Sequence, residues 1–548
     1  MILNQVFASE QIGFPVLSLM LILPLLAALA LAVMKNNGSA YKIALGVSIA
    51  ELILACLVWL KFESGSSDMQ FVEQIGPLAG LGFSYHLGVD GISMLFVPAT
   101  ALLSLLAVMY TDTSVKQNVG GYLACLLGFE ACMMGAFMSV DLLLFWIFFI
   151  AEIIPSYLLI VYWGTGGERR EAATSYLVYM LIASAALLVG IVLLAFNHGG
   201  AVNGSMSFDY VKLLTVPLPE KTQVLIFFII TLGLAIKAPL FPLHTWMPKV
   251  LEQGPVVGMG IFLVGIKLGT YGFLRIVIPL LPQAALEWYW LLALLGAVSM
   301  VYGALIALVQ VNLRRVLAFA SISHMGVVML GLFSLNFQGM QGGLLQMLNL
   351  GLTGAGLFFI ASFLMTRMGA PDVLRMGGLQ QHAPLMALAF LVIGLAGVGM
   401  PGTSGFNGEH LVMLGAFKKH WVMALAVGMG TLLTAAYFLW YYQRAFLGDD
   451  NIEPRHNFPD LGFHEKIIAG SLIAIIFWIG LYTTPFLHTM NGSLRAIETR
   501  IKNHPAGADL IQPRVLDEPL SRLSMNSQTD KLSATMTRTV VLQGSKMQ

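Results

Sequence analysis

The chain has 548 residues, of which 57% are hydrophobic and 10% are charged, and its formal net charge is +1. Soluble domains carry about a quarter charged residues, so this composition excludes an ordinary soluble enzyme and predicts a polytopic membrane protein. The balanced charge gives no indication of a nucleic-acid partner.

Apolar segments of roughly 18 or more residues are long enough to cross the ~30 Å hydrocarbon core of a bilayer. About fourteen such segments follow one another along the chain, so we predict an all-α polytopic fold in contact with the lipid bilayer. Their predicted bounds are 15–34, 43–62, 83–110, 120–138, 141–163, 172–196, 222–247, 254–281, 286–309, 314–335, 340–366, 383–415, 421–446 and 465–488.

Proline and glycine interrupt two of these segments. The seventh contains GLAIKAPLFPLHTW (233–246), and the twelfth contains GMPGTSGFNGE (399–409). Transporters built from repeated units carry broken helices at corresponding positions, and these two breaks lie five segments apart. We therefore predict two inverted five-helix repeats with broken helices 7 and 12. The predicted divisions are 1–119 (segments 1–3), 120–281 (first repeat), 282–447 (second repeat), 448–490 (last segment) and 491–548 (a polar, partly disordered tail).

Several ionisable residues lie inside these apolar segments, where a charge exposed to lipid is costly and such groups often mark ion paths. Lys237 and Lys267 are about 15 Å and about 20 Å from the nearer end of their segments, beyond the reach of a lysine stem toward water. For Glu130, Glu152 and His324, a hydrogen-bonded structural role is the alternative interpretation. The candidate relay residues are Glu130, Glu152, Lys237, Lys267, His324 and Glu409.

The chemical types of these residues favour protons over metal cations. A lysine amine cannot coordinate sodium, but burial and a nearby carboxylate shift its proton affinity in opposite directions. The motif GVGMPG (397–402) matches a dinucleotide-binding pattern, but it lies in an apolar segment without a preceding strand. With no P-loop, haem-ligand pair or iron–sulfur spacing either, we expect no cofactor or metal site in this chain.

The chain resembles the antiporter-like membrane subunits of respiratory complex I, and most of all those of M type, over roughly residues 83–447. The resemblance rests on YHLGVDGISMLF, LAIKAPLFPLHTWMP, IKLGTYGFLR, LRRVLAFASISHMG, QMLNLGLTGAGLF and MPGTSGFNGEHLVMLGAF. It implies a proton-translocating subunit of an NADH:quinone oxidoreductase in a bacterial inner membrane. It further implies that NADH, flavin, iron–sulfur clusters and quinone are bound by partner subunits, and that other membrane-arm subunits are its partners. The implied roles are the central lysine for Lys237, the relay lysine for Lys267, the connecting histidine for His324 and the final carboxylate for Glu409.

Three positions depart from the family pattern. The family places a glutamate where this chain has Ile150, and Glu152 lies about 200° further around an ideal helix. Two histidines of the family are replaced by Leu251 and Leu350. Either Glu130 or Glu152 is therefore expected to pair with Lys237, through a helix bulge or shifted packing.

Three hypotheses follow from these observations. The first is a working but rerouted proton pump coupled to quinone reduction on other subunits. The second is a related subunit of a multi-subunit cation/proton antiporter, a membrane-bound hydrogenase or an inorganic-carbon uptake complex. The third is a scaffold that keeps the fold without pumping.

Overall fold

A computed structural model describes residues 3–34, 36–78, 82–202, 204, 206–369, 376–448 and 458–503. All but the last two of these residues belong to one compact unit that spans residues 1–501. The part of the predicted polar tail beyond residue 503 lies outside the described residues.

Helices dominate the described chain. They are α1 Ala8–Gln11, α2 Val16–Val33, α3 Asn37–Lys61, α4 Phe96–Ser114, α5 Val119–Met138, α6 Leu142–Ala151, α7 Ile153–Trp163, α8 Arg169–Val202, α9 Tyr210–Leu213, α10 Glu220–Lys237, α11 Trp246–Gln253, α12 Val256–Gly272, α13 Ile278–Leu280, α14 Pro282–Val309, α15 Leu313–Leu332, α16 Phe337–Met368, α17 Leu379–His382, α18 Pro384–Val398, α19 Ser404–Lys419, α20 Trp421–Tyr442, α21 Phe463–Leu481 and α22 Thr484–Lys502. Single π-helical turns at Phe273–Val277 and Gln443–Leu447 follow α12 and α20.

Twelve helical segments in the described ranges are long and apolar enough to cross a membrane. They correspond to twelve of the predicted segments, although the third and the last differ in their bounds, while the seventh and the twelfth are each divided into shorter helices. This confirms a helical, multi-pass membrane fold, while the count of fourteen spans and the inverted repeats stay predictions. The segment Val256–Leu280 is buried along its whole apolar window, whereas Asn37–Lys61 is buried over only 28% of its window. Helix α12 is therefore enclosed by its neighbours, among them α4, α10 and α16.

The predicted break in the seventh segment is present. Helix α10 ends at Lys237, and the chain is not helical again until Trp246 begins α11. Pro239 and Pro242 lie between them, and proline has no N–H to continue a helical hydrogen-bond ladder. The indole N–H of Trp246 donates to the carbonyl of Ile236 at 3.1 Å, which satisfies one backbone group that the break leaves free.

The break in the twelfth segment is also present, and glycine makes it possible. Helix α18 ends at Val398 and α19 begins at Ser404. Gly399 and Gly402 have φ values of +85° and +89°, in the region that residues with a Cβ rarely adopt. The chain turns here, and Glu409 lies in the second turn of α19.

The third predicted segment, 83–110, is wrong in its first part. Residues Phe83–Val89 form a strand (β3), which pairs antiparallel with β2 (Met69–Leu78), and β2 pairs parallel with β1 (Gln5–Phe7). Helix α4 does not begin until Phe96. Gly88 lies near the end of β3 and Gly91 lies between β3 and α4, and glycine is a poor helix former.

The last predicted segment also differs from the structure. Helix α21 ends at Leu481, and a second helix, α22, runs through position 491, the predicted start of the polar tail. Helix α22 is amphipathic because its buried residues recur every three or four positions, one helical turn apart. These residues are Phe486, Met490, Leu494, Ile497 and Ile501.

A buried ion pair joins the loop after β3 to the π-helical turn after α12. The guanidinium of Arg275 donates to both carboxylate oxygens of Asp90, and the bond to Oδ2 is 3.0 Å long. Arg275 is only 6% exposed and Asp90 only 2% exposed. Burial raises the pKa of Asp90, but the charge and hydrogen bonds of Arg275, with hydrogen bonds from Ser93 and Ser493, bring that pKa below its usual value. The pair therefore ties two distant parts of the chain together.

Removing one partner of this pair is expected to destabilise the protein strongly. Arg275→Met or Asp90→Asn should lower the free energy of unfolding by about 3–5 kcal/mol, because each leaves a buried group without its partner. Denaturant unfolding in detergent, followed by circular dichroism, measures the change. Because the pKa of Asp90 is lowered on folding, its contribution is present above the ordinary carboxyl pKa and is lost as pH falls through the folded value.

The matched control for this prediction is an exposed ion pair. Glu171→Ala removes the Lys249–Glu171 pair, whose side chains are 55% and 64% exposed, and it should leave unfolding almost unchanged. Equal stability of wild type, Arg275→Met and Asp90→Asn would contradict the role given to the buried pair.

Candidate functional site

The broken seventh segment places a lysine against a carboxylate inside the protein. The Lys237 ammonium, at the end of α10, donates a hydrogen bond to Oε1 of Glu152, and these residues are 2% and 0% exposed. The hydroxyl of Tyr176 donates to the same oxygen at 2.9 Å. The Lys237 Nζ lies 5.3 Å from the centre of the Phe149 ring. Of the two glutamates that the sequence left open as partners, Glu152 contacts Lys237 in the structure.

An irregular turn brings Glu152 to this position. It lies between α6 and α7, where the hydrogen bond from its N–H to the Phe148 carbonyl is 3.2 Å long and that from Ser156 to its own carbonyl is 3.3 Å. Pro155 cannot donate to the carbonyl four residues before it, so the helix is weakened at this turn. The expected angle of about 200° between the side chains of Ile150 and Glu152 applies to a regular helix, and the turn at Glu152 is not regular.

Helix α12 packs closely against the Glu152 carboxylate. A Cβ added at Gly265 would lie 3.1 Å from Oε2 of Glu152 and 2.8 Å from Cζ of Phe129. Both distances are shorter than ordinary van der Waals contact, so only glycine fits here without moving a neighbour. Gly265 is thus a positioning residue for Glu152.

Two residues further along α12, Lys267 is 2% exposed and has no carboxylate partner among the described residues. Its Nζ lies 3.3 Å from Sδ of Met325, the neighbour of His324 in α15. Lys267 and His324 line one cavity of about 40 Å³, which has room for about three water molecules. The structure thus brings these two residues to one cavity, and their predicted part in a proton relay stays a prediction.

Three hydroxyl groups on α20 lie between His324 and Glu409. The Tyr437 hydroxyl lies 3.3 Å from Nε2 of His324, and the Thr431 hydroxyl donates to Oε2 of Glu409 at 3.4 Å. Thr434 lies between them, and all three are spaced by three residues, so they share one side of the helix. The spacing TLLTAAY was visible in the sequence, but we did not single it out.

Glu409 is 6% exposed and is held by neutral groups only. Besides Thr431, the side-chain amide of Gln346 donates to its Oε1 at 3.4 Å. Gly399 of the break approaches the same carboxylate, since a Cβ there would lie 2.5 Å from Oε2. No cation is bonded to Glu409 among the described residues, in contrast to Glu152.

The remaining predicted positions lie elsewhere or are apolar. Glu130 is fully buried on α5, and neither of its oxygens has a hydrogen-bond partner, Lys237 included, among the described residues. Leu251 and Leu350, which replace two histidines of the resembling family, are both buried. Leu350 lines the cavity of Lys267 and His324, so that part of its wall is apolar. Within the described ranges, no group of three or more His, Cys, Asp or Glu residues could hold a metal ion.

Comparison with known proteins identifies relatives along nearly the whole chain. Residues 139–434 match the family described as "NADH:quinone oxidoreductase/Mrp antiporter, TM". The "NADH-quinone oxidoreductase subunit M" of Rickettsia typhi is 33% identical over 497 residues, which are 88% of this chain and 99% of the relative. The protein of the same name from Rhodobacter capsulatus is 36% identical, over 85% and 93% of the two chains. The "NADH-ubiquinone oxidoreductase chain 4" of Marchantia polymorpha is 34% identical, over 87% and 96%.

Solved structures share the fold. A chain of respiratory complex I from Thermus thermophilus with bound NADH superposes with a TM-score of 0.81 at 29% identity, over 88% of this chain and 99% of that one. A chain of the Mrp complex from Dietzia sp. DQ12-45-1b has a TM-score of 0.79 at 22% identity, over 89% and 98%. At 22% identity, the second similarity concerns the fold alone.

Proposed function

Because this chain belongs to the NADH:quinone oxidoreductase/Mrp antiporter family of membrane proteins, we propose that it is the M-type, proton-translocating subunit of an NADH:quinone oxidoreductase complex. Quinone reduction takes place on partner subunits, which bind the NADH, flavin, iron–sulfur clusters and quinone. The chain itself contributes no redox centre. Its partners are the other membrane-arm subunits, and its location is a bacterial inner membrane.

The observation that carries this proposal is the ion pair of Lys237 and Glu152 at a broken helix. A buried ammonium needs a partner charge, because attraction between charges is strong and solvation weak in a low-dielectric interior. When Glu152 moves away or is neutralised, the ammonium loses its partner and its proton becomes easier to release. Movement of charge in an adjoining subunit can therefore be converted into release of a proton.

The proton then passes along groups that bind it and release it in turn. Lys267 accepts it from Lys237 and passes it to His324 across the small cavity that these two residues line, where water molecules bridge groups that do not touch. His324 and the hydroxyls of α20 lead from this cavity to Glu409, which binds the proton at the second broken helix. In this scheme the relay consists of Glu152, Lys237, Lys267, His324 and Glu409.

Isolation of the assembled complex tests the proposed assignment. We expect purification in mild detergent to yield this chain with quinone-reductase subunits, and the complex in liposomes to acidify one side when NADH and quinone are added. Co-purification with cation/proton antiporter, hydrogenase or carbon-uptake subunits instead would refute the assignment to a quinone reductase. A quinone-reductase complex whose proton yield is unchanged by variants in the relay would identify the chain as a scaffold.

Gly265→Ala should reduce proton translocation by about tenfold, because an added methyl group displaces Glu152 from Lys237 and small misplacements of reacting groups are costly. Proton uptake by liposomes containing the variant complex measures the effect. Gly260→Ala is the control on the same helix, since a Cβ there meets nothing closer than 3.5 Å. Equal translocation rates in the two variants would contradict the positioning role of Gly265.

A further inference from the structure

A second pair of buried carboxylates lies apart from the proposed relay. Glu51 of α3 and Glu130 of α5 are both 0% exposed. Neither oxygen of either carboxylate has a hydrogen-bond partner among the described residues. Burying an ionised carboxylate without a hydrogen-bond partner costs free energy, so the presence of this pair inside the protein requires a physical explanation.

The two glutamates lie at the same depth. Ala40 and Gly120 are neighbours near the start of α3 and α5, since a Cβ at Gly120 would lie 3.8 Å from Cβ of Ala40. Because α3 and α5 also pack against each other, they run in the same direction, and Glu51 and Glu130 are about 15–17 Å further along. The negative charge of Glu51 acts on Glu130, which also places the two carboxylates near each other.

Helix α4 contributes a hydroxyl group next to the two glutamates. The rings of Phe96 and Phe137 stack with their centres 4.8 Å apart, so α4 and α5 are antiparallel and Ser104 reaches the level of Glu130. The Ser104 side chain faces Glu130, and its oxygen is buried without a hydrogen-bond partner in the described chain. A serine hydroxyl donates to an ionised carboxylate or accepts from a protonated one.

No cation reaches the pair from the helices packed around it. Helices α2, α6 and α7 carry no charged residue, and the only one in α4 is Asp112. In α3 itself, Lys42 and Lys61 are about 14–15 Å along the helix from Glu51. Lys267 of α12 is in contact with Met325, and His86 of β3 with Asp209.

We propose that Glu51 and Glu130 form a proton-binding site inside the membrane, in which the two carboxylates hold at least one proton between them. Two adjacent carboxylates in a low-dielectric site cannot both remain ionised without a cation, so they titrate as one coupled pair. The site is separate from the Lys237–Glu152 pair, because Phe129 and Met133 form the face of α5 next to Glu152. The two glutamates bind this proton whether or not the chain translocates protons across the membrane.

Reaction with dicyclohexylcarbodiimide tests this proposal in the intact complex. This apolar reagent adds to a protonated carboxyl group, which becomes an O-acylisourea and rearranges to a stable N-acylurea that mass spectrometry locates. We expect Glu51 or Glu130 to be labelled at least tenfold more than Glu152, which is equally buried but paired with the Lys237 ammonium. The Glu51→Gln/Glu130→Gln double variant keeps the shape of the site and should lose this labelling.

Two results would overturn the proposal. The first is labelling of Glu51 and Glu130 no higher than that of Glu152, together with no infrared carbonyl band of a protonated carboxyl group that the double variant removes. The second is competition by Na⁺ at constant pH, which would identify a metal-cation site instead. The infrared band by itself, lost in the double variant and insensitive to Na⁺, supports the proposal even if the reagent does not enter.

Discussion

Replacement of Lys237 by alanine is expected to lower proton translocation by roughly a hundredfold or more, the size of effect expected when a positioned acid–base group is lost. Lys237 is the only cation bonded to Glu152 in the described chain, so its removal deletes the proton-carrying amine and leaves the carboxylate without a partner. The measurement is proton uptake per NADH oxidised in liposomes containing the purified complex. Quinone reduction should be measured in the same sample, so that loss of assembly is distinguished from loss of coupling.

Lys249→Ala provides the matched control for this variant. Lys249 lies in α11, on the other side of the same break, and its side chain is 55% exposed in a surface pair with Glu171. Surface ion pairs contribute little, so translocation should remain near that of wild type. Unchanged coupled translocation in Lys237→Ala would mean that the chain is structural, as the scaffold hypothesis requires.

Glu152→Gln is expected to reduce translocation by about ten- to a hundredfold, whereas Glu130→Gln should stay within about twofold of wild type. The two residues are equally buried, but only Glu152 contacts Lys237. Glutamine keeps the shape of the side chain and removes the charge that stabilises the ammonium. The comparison therefore isolates the charge of each carboxylate, measured again as protons moved per NADH oxidised.

Moving the carboxylate from position 152 to position 150 is a further test of the pairing with Lys237. In the double variant Glu152→Gln/Ile150→Glu, the carboxylate returns to the position where the resembling family has it. We expect no recovery, because position 152 is the residue that the irregular turn directs at Lys237. Full recovery, or unchanged translocation in both single variants and in Glu130→Gln/Glu152→Gln, would contradict the assigned pairing.

Sequence patterns alone were sufficient for the membrane class, most span positions and both broken helices. These features follow from local properties, since twenty apolar residues fit the bilayer wherever they pack and proline ends a helical ladder in any surroundings. The charged residues inside the spans were recognisable for the same reason, because any such residue is costly in lipid. Residues 83–95 were assigned wrongly to a membrane helix because strand pairing with β2 depends on residues outside the segment.

Only the tertiary structure decided which charges meet. Glu130 and Glu152 have similar sequence surroundings, and their roles separate because a loosened turn before Pro155 directs one of them at Lys237, while the other faces α3. Tyr176, Gly265 and Glu51 come from different helices, so no spacing within one segment could have indicated them. Pairing between buried charges depends on distances across the bundle, and the sequence by itself determines only that such charges are present and must be compensated.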